Sequence, residues 1–341
     1  MLKCVKIVQY KNFNIASLKL ANPVLLAPMA GISNLPYRRI MKEFGAALVF
    51  SEMVSANGLI RDGRRTLELV RSCAAEKPLG IQLFGSEPGV LAASVRHLEG
   101  AGDLIDLNLG CPVNKVVRSG AGSALLRDPN LVAKLIGALR KATDKPLTVK
   151  IRSGWDRRSI NYLDIGRIAE DCGADAVTLH PRTRAEGFSG SADWEQIGRL
   201  KQALGIPVIG SGDIFNADDA LRMLQTTGCD GIMIGRGGYG NPWLIRNILD
   251  RLAGQPERPP SATEKLRVAE RHLRFMEEDI GAGKTLFEMR KHLCWYSRGM
   301  ADAAHFRQVV NHATSLEQMR SLMRNFFARN ENQDAGHHPA T

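Results

Sequence analysis

The sequence predicts an α/β fold, a (β/α)8 TIM barrel followed by a small C-terminal all-helical domain. Three observations predict it. Short β-branched or apolar runs recur eight times, each followed by a stretch of helical periodicity, and strands alternating with helices indicate parallel βαβ units. These units fill about 230 residues, close to the ~250 such a barrel usually needs. Beyond a break rich in Pro and Gly, the apolar spacing is helical only.

The expected strands are Val24–Ala27, Ala47–Ser51, Leu79–Phe84, Leu104–Leu109, Pro146–Ile151, Ala176–His180, Pro207–Gly210 and Gly231–Ile234. Several are almost continuously apolar, as strands covered on both faces should be. Amphipathic stretches follow, at Pro88–Glu99, Asn130–Lys141, Ile160–Cys172, Asp193–Ala203 and Ala217–Thr226. No G-x-G-x-x-G follows the first strand, which weighs against a doubly wound dinucleotide-binding sheet. Residues 1–250 are thus assigned to the barrel and 251–262, containing Gly254, Pro256, Pro259 and Pro260, to a linker. Residues 263–329 are assigned to helices, with Thr263-Glu264 as a cap and Leu266, Ala269, Leu273 and Met276 as an apolar stripe. About 65 residues are few for independent stability, so this segment should pack on the barrel. Residues 330–341 read as a frayed polar tail in which His337 and His338 are solvated.

Composition narrows the function classes. The 341 residues are 44% hydrophobic and 24% charged, values of an ordinary globular protein. No apolar run approaches the ~20 residues of a membrane span, and no signal-peptide pattern is evident, so a cytoplasmic location is expected. The six cysteines, Cys4, Cys73, Cys111, Cys172, Cys229 and Cys294, are widely spaced without C-x-x-C, which fits a reducing compartment and neither zinc nor a disulfide framework. The net charge of +11 is compatible with a polyanionic partner or with a soluble enzyme that is simply basic. No interface pattern stands out, and a monomer is expected.

In such a barrel the chemistry belongs at the carboxyl ends of the strands. There the sequence is polar: Pro28-Met29-Ala30, Glu52, Gln82, Asn108 with Cys111, Lys150 with Arg152, His180, Ser211-Gly212-Asp213, and Gly235-Arg236. Any one could be a satisfied structural residue; together they should converge on one pocket. Gly235-Arg236-Gly237-Gly238, with Gly212 nearby, suits a phosphate through bare amides and a guanidinium. Cys172 and Cys229 fit small buried packing residues, whereas Cys111, between Gly110 and Pro112, has a loop setting suited to a reactive thiol. Lys150 needs an anionic or electron-rich partner, with a salt bridge to Glu52 as the plainer alternative. His180 could bind phosphate, shuttle a proton or only hydrogen-bond. Nothing suggests a catalytic metal or a Ser-His-Asp triad.

Five stretches carry a resemblance: Ala27-Pro28-Met29-Ala30-Gly31, Asp106-Leu107-Asn108-Leu109-Gly110-Cys111-Pro112, Gly122-Ser123-Ala124-Leu125-Leu126, His180-Pro181-Arg182-Thr183-Arg184 and Met233-Ile234-Gly235-Arg236. They are similar to the tRNA-dihydrouridine synthases, and Arg290-Lys291-His292-Leu293-Cys294-Trp295-Tyr296 resembles the bacterial B-type branch. The resemblance covers roughly residues 20–325. It implies a reductase that uses FMN and NADPH (or NADH) to saturate C5–C6 of a tRNA uridine, with D-loop position 17 suggested by the B-type likeness. It further implies Pro28, Met29, Ala30 and Gln82 against the flavin ring, Lys150 at its N1–O2 edge, and His180, Ser211, Gly212, Asp213, Gly235 and Arg236 at its ribityl-phosphate end. Cys111 would be the acid that protonates C5, and Asn108 and Arg152 would orient the uracil. Family members usually carry Asn where this chain has Ser211.

Between Lys284 and Arg329 stand eight Lys or Arg against three acids, a charge that could meet tRNA phosphates or be a solvated face. Arg61, Arg64, Arg65, Arg157 and Arg158 could extend that surface onto the barrel. Two rival readings are an FMN barrel reductase of a small molecule, of the dihydroorotate or enone type, and a non-catalytic RNA-binding protein.

Overall fold

In the computed structural model, residues 13–61, 63–98 and 100–335 are described; Cys4, His337 and His338 lie outside them. Eight parallel strands form the barrel: β1 (Val24–Leu26), β2 (Val49–Phe50), β3 (Leu79–Phe84), β4 (Leu104–Leu109), β5 (Leu147–Arg152), β6 (Ala176–His180), β7 (Val208–Ser211) and β8 (Gly231–Ile234). Consecutive strands pair from β2 by way of β3 to β8, β8 pairs with β1, and the bridge Leu25↔Leu48 closes the ring. The second strand is shorter than the expected Ala47–Ser51, because only its middle pairs with β3; Ala47 and Leu48 bond to β1 instead. A two-residue strand, Val54–Ser55, extends that side of β3.

The strands obey a period of two. Leu79, Ile81 and Leu83, Ile105, Leu107 and Leu109, and Leu147, Val149 and Ile151 face the helical layer and are fully buried. The alternate residues face the barrel axis. At the amino end these are Leu25, Leu48, Phe50, Leu104, Ala176, Ile209 and Met233, plugged by Phe13, Ile15 and Leu20 of an antiparallel hairpin. Gly80 leaves room for Phe50 there: a Cβ would lie 2.5 Å from its ring. Towards the carboxyl end the inward residues turn polar, and the register sets Gln82 beside Asp106, Asn108 beside Lys150, and Arg152 beside His180.

The outer helices include α1 (Leu35–Glu43), α2 (Pro88–Arg96), α3 (Pro129–Ala142), α4 (Tyr162–Asp171), α5 (Trp194–Ala203), α6 (Ala217–Thr227) and α7 (Trp243–Leu252). Residues 253–261 carry no regular structure, and α8 (Ala262–Tyr296), α9 (Ala303–Asn311) and α10 (Leu316–Ala335) follow. Ser261, not Thr263, caps α8 by accepting from the Glu264 amide; the Glu264 carboxylate instead takes Trp243 Nε1 at 2.7 Å and Arg246 at 2.6 Å. A non-helical Gly281 kinks α8. The core of the helical segment is shared with the barrel: Leu273, Met276, Met289, Leu293, Phe306 and Phe327 pack in one cluster with Ile40 of α1 and Trp243 of α7. The tail expected from Asn330 is corrected, because α10 continues to Ala335. Asn330 is buried there and bonds to both the amide and the carbonyl of Ala301. Among the described residues no helix is long and apolar enough to cross a membrane.

Arg38 of α1 and Glu76 form a bidentate pair (2.5 and 3.0 Å) with both side chains almost fully buried, and Arg38 also donates to the carbonyls of Ser33 and Arg71. Glu76→Gln leaves that guanidinium uncompensated, and denaturant titration should show a loss of about 3–5 kcal/mol.

Candidate active site

The polar inner residues line a cavity of about 260 Å³ at the carboxyl end of the barrel. Of the residues anticipated there, Pro28, Met29, Ala30, Gln82, Asn108, Cys111, Lys150, Arg152, His180, Ser211, Gly212, Asp213, Gly235 and Arg236 are on its wall, whereas Glu52 is not.

The floor is one hydrogen-bonded layer. Asp106 accepts from Thr148 Oγ1 (2.6 Å) and Gln82 Nε2 (2.7 Å), and Gln82 Oε1 accepts from Asn108 Nδ2 (2.8 Å). Burial pushes Asp106 up to about 6, opposed by those two donors and by Lys150. Burial, followed by Arg152, lowers Lys150 to about 8, opposed by Asp106 and Cys111. The plainer Lys150–Glu52 bridge does not form: Glu52 accepts from the Gly31 amide, and the Lys150 ammonium has no hydrogen-bond partner among the described residues.

The Cys111 loop is pinned from both sides. Asn108 Oδ1 accepts from the amides of Gly110 (3.2 Å) and Cys111 (2.9 Å), while Ser123 donates its amide (3.1 Å) and hydroxyl (2.9 Å) to the Cys111 carbonyl. Gly122 (φ +61°) belongs to this turn, and a Cβ on it would lie 2.9 Å from that carbonyl oxygen. Burial raises the Cys111 thiol, against the Val113 amide, Arg152 and Lys150. A thiol held protonated is suited to giving up a proton at the right moment, not to standing as a thiolate. Arg152 donates to the carbonyls of Gly110, Thr183 and Gly187, which leaves its Nη2 without a partner among the described residues.

The opposite end gathers positive charge. Arg182, 2% exposed, grips Asp213 through two bonds (2.9 and 2.6 Å) and reaches the carbonyls of Ser189 and Gly190. Its Nη1 also lies 3.2 Å from His180 Nε2. Since a guanidinium only donates, His180 Nε2 accepts and Nδ1 carries the proton. Burial first, then Lys150, Arg152, Arg182 and Arg236, push His180 well below its usual range, so the ring is neutral. Burial works against the Asp213 carboxylate, but Arg182, the Ala192 amide and Arg236 hold it below the ordinary range. Asp213 sits at φ +54° and Gly212 at +113°. The amides of Gly212, Arg236 and Gly237 have no backbone acceptor among the described residues. Arg236 lies over the half-exposed rings of Phe188 (4.5 Å) and Phe215 (5.7 Å).

Asp106, Arg182, Phe188 and Phe215 were not anticipated as functional. Asp106 and Asn108 share an inward parity that could have flagged the first. Arg182 stands two residues past an inward His180, whereas the two phenylalanines leave no local signal.

The fold and site define an α/β-barrel enzyme whose one cavity gathers a buried thiol, an ammonium without a hydrogen-bond partner among the described residues, and glycine turns with open amides. The chain belongs to the dihydrouridine synthase family: the family model described as "Dihydrouridine synthase (Dus)" matches residues 25–332. A "Probable tRNA-dihydrouridine synthase" of Rickettsia conorii is 42% identical over 302 residues, 87% of this chain and 91% of that protein. One of the same name from Mycobacterium tuberculosis is 40% identical over 323 residues, covering 91% and 83%. The "tRNA-dihydrouridine synthase B" of Xanthomonas campestris is 39% identical over 310 residues, covering 90% and 93%. Among solved structures, a 2-naphthoyl-CoA reductase complex superposes with a TM-score of 0.57 at 12% identity, over 72% of this chain and 52% of that one. Histamine dehydrogenase from Rhizobium sp. 4-9 gives 0.57 at 12%, over 95% and 65%. These two likenesses are of fold alone.

Asp213→Asn keeps a residue that tolerates the positive φ but removes the charge facing Arg182. Unfolding titration should show a loss of about 1.5–3 kcal/mol.

Proposed function

We propose that the protein is an FMN-dependent tRNA-dihydrouridine synthase that reduces C5–C6 of a D-loop uridine, at position 17, with NADPH as electron donor. The observation that carries the reading is the Cys111 thiol sharing one cavity with the partnerless Lys150 ammonium and the open amides of the Gly212 and Gly235–Gly237 turns. The residues present suit FMN. Three unfilled amides and Arg236 match its phosphate, and a Cβ on Gly235 would enter space bordered by Ala27 (3.8 Å) and Met29 (4.0 Å).

Pro28, Met29, Ala30 and Gln82 would hold the flavin ring, and His180, Ser211, Gly212, Gly235 and Arg236 its ribityl-phosphate end. Asp213 acts there by holding Arg182 and Arg236, since a carboxylate facing a phosphate would repel it. When bound and reduced, FMN supplies the hydride for C6 of the uracil. Lys150 would place positive charge at the electron-rich N1–O2 edge of the ring. Cys111 delivers a proton to C5 as negative charge develops there, and its burial keeps that proton in place beforehand. Asn108 positions the Cys111 loop, both its amide groups being engaged, while Arg152 Nη2 is the donor left for a uracil carbonyl.

The tRNA-facing charge divides between the two parts of the chain. In the helical segment Lys284, Lys291, Arg320 and Arg324 are in ion pairs and Arg290 bonds to the Ala313 carbonyl. Arg298, Arg307 and Arg329 remain for phosphates. On the barrel rim beside the Cys111 loop, Trp155 lies between Arg127 (5.0 Å) and Arg184 (4.7 Å), next to the exposed Lys115, Arg118 and Arg158. Such cations supply the salt-dependent part of RNA affinity.

Mass spectrometry of tRNA from a deletion strain should show dihydrouridine missing at one D-loop site; an unchanged D-loop with no redundant enzyme present would refute the proposal. Cys111→Ala should retain FMN in full stoichiometry while turnover falls by ~10²–10⁴. Lys150 is charged below about 8 in the free protein, so FMN affinity should fall as pH rises through that value. Fluorescence titrations of Lys150→Met should lose this limb of the profile.

A further inference from the structure

Because β1 pairs with β8, the loops leaving these strands are neighbours, and both border the cavity. Residues 291–296, the end of α8, touch both. Lys291 Nζ donates to the Gly31 carbonyl at 2.6 Å and pairs with Glu288. Glu52, just beyond β2, accepts from the amide of the same Gly31, which stands at φ +70°. One charged group from the helical segment and one from the barrel thus hold both polar groups of the residue that follows the Pro28–Ala30 wall. On the other loop, Trp295 stacks on Tyr239 (centroids 4.4 Å apart, 19°), and Gly240 is pressed so close that a Cβ would lie 2.4 Å from the Trp295 carbonyl carbon. His292 lies 5.7 Å from the ring of Tyr37, whose hydroxyl donates to the Gly238 carbonyl at 2.9 Å.

We propose that Lys291 is a positioning residue for the cofactor: with Glu52 it clamps the peptide at Gly31 and so fixes the wall on which the flavin ring rests. The inference rests on the FMN reading and goes beyond it, since it makes the helical segment a working part of the cofactor site. An ammonium donating to a carbonyl is a charge-assisted, directional tether. Without it, Gly31 keeps only the Glu52 contact, and the adjoining wall must be ordered by the ligand at a cost in affinity.

The test is FMN binding to the full-length apoprotein, followed by flavin fluorescence and by visible circular dichroism of the bound ring. Lys291→Met should raise the Kd about tenfold, the scale of one lost hydrogen bond from a charged donor. Lys291→Arg, which keeps charge and donors, should stay within about threefold of wild type. Arg271→Met breaks another contact between α8 and the barrel, the 3.0 Å pair with Glu43 of α1, and should leave both Kd and dichroism unchanged. An unchanged Kd in Lys291→Met, or a loss equalled by Arg271→Met or Lys291→Arg, overturns the clamp. A wild-type protein that binds no FMN refutes the cofactor reading, and the clamp falls with it.

Discussion

The constraint behind this site is the parity of a closed parallel barrel. Once β1 pairs with β8, every second residue of each strand must point at the axis, and only the last one or two per strand can meet a ligand. Strands that are apolar on the outside therefore change chemistry along their inner side. Leu104 sits in the apolar plug, Asp106 in the polar floor and Asn108 at the Cys111 loop, all on one strand and one face.

Such a wall must carry charge in low-dielectric surroundings, and the structure balances it in two places. Asp106 lies below Lys150, and Asp213 faces Arg182 and Arg236. Neither arrangement neutralises the cavity. Lys150 keeps no hydrogen-bonding partner among the described residues, and Arg152 and Arg236 add to it, so the pocket retains a positive excess that an anionic, electron-rich ligand can satisfy. Burial first, and then the same excess, keep His180 neutral, which makes it a hydrogen-bonding group and not a further cation.

Much of this was legible in the residues because barrel strands are local objects. The runs 79–84, 104–109, 176–180 and 231–234 coincide with the strands found, and the polar residues at their ends do converge. The proton-donor reading of Cys111 came from its loop setting and from family resemblance; burial of the loop is what raises the thiol. What failed to show depends on partners remote in the chain. The basic run after Lys284 looked like free charge, but Glu68, Glu270 and Glu277 occupy three of its cations. Asn330 looked like the start of a tail until its bonds to Ala301 made it part of a packed helix. That Asn108 also ties the floor to the Cys111 loop, through Gln82 on one side and the Cys111 amide on the other, depends on contacts its own strand does not reveal.

The helical segment illustrates why domain boundaries drawn from composition can mislead about energetics. Residues 253–261 do separate two kinds of sequence, but Ile40 and Trp243 of the barrel are part of the helical core, and Glu264 of α8 accepts from Trp243 and Arg246 of α7. Removing the helices would expose an apolar face of α1 and α7, so the barrel is completed by them and not merely decorated. The same α8 that shares this core ends against the β1 and β8 loops, while Arg298, just past the end of that helix, is exposed with no ion pair among the described residues. A polyanion engaging that end would act on an element already in contact with the cavity wall. Coupling between two sites through one rigid element is reciprocal, so whatever steadies α8 from outside would steady the wall, and a filled cavity would in turn favour the docked helix.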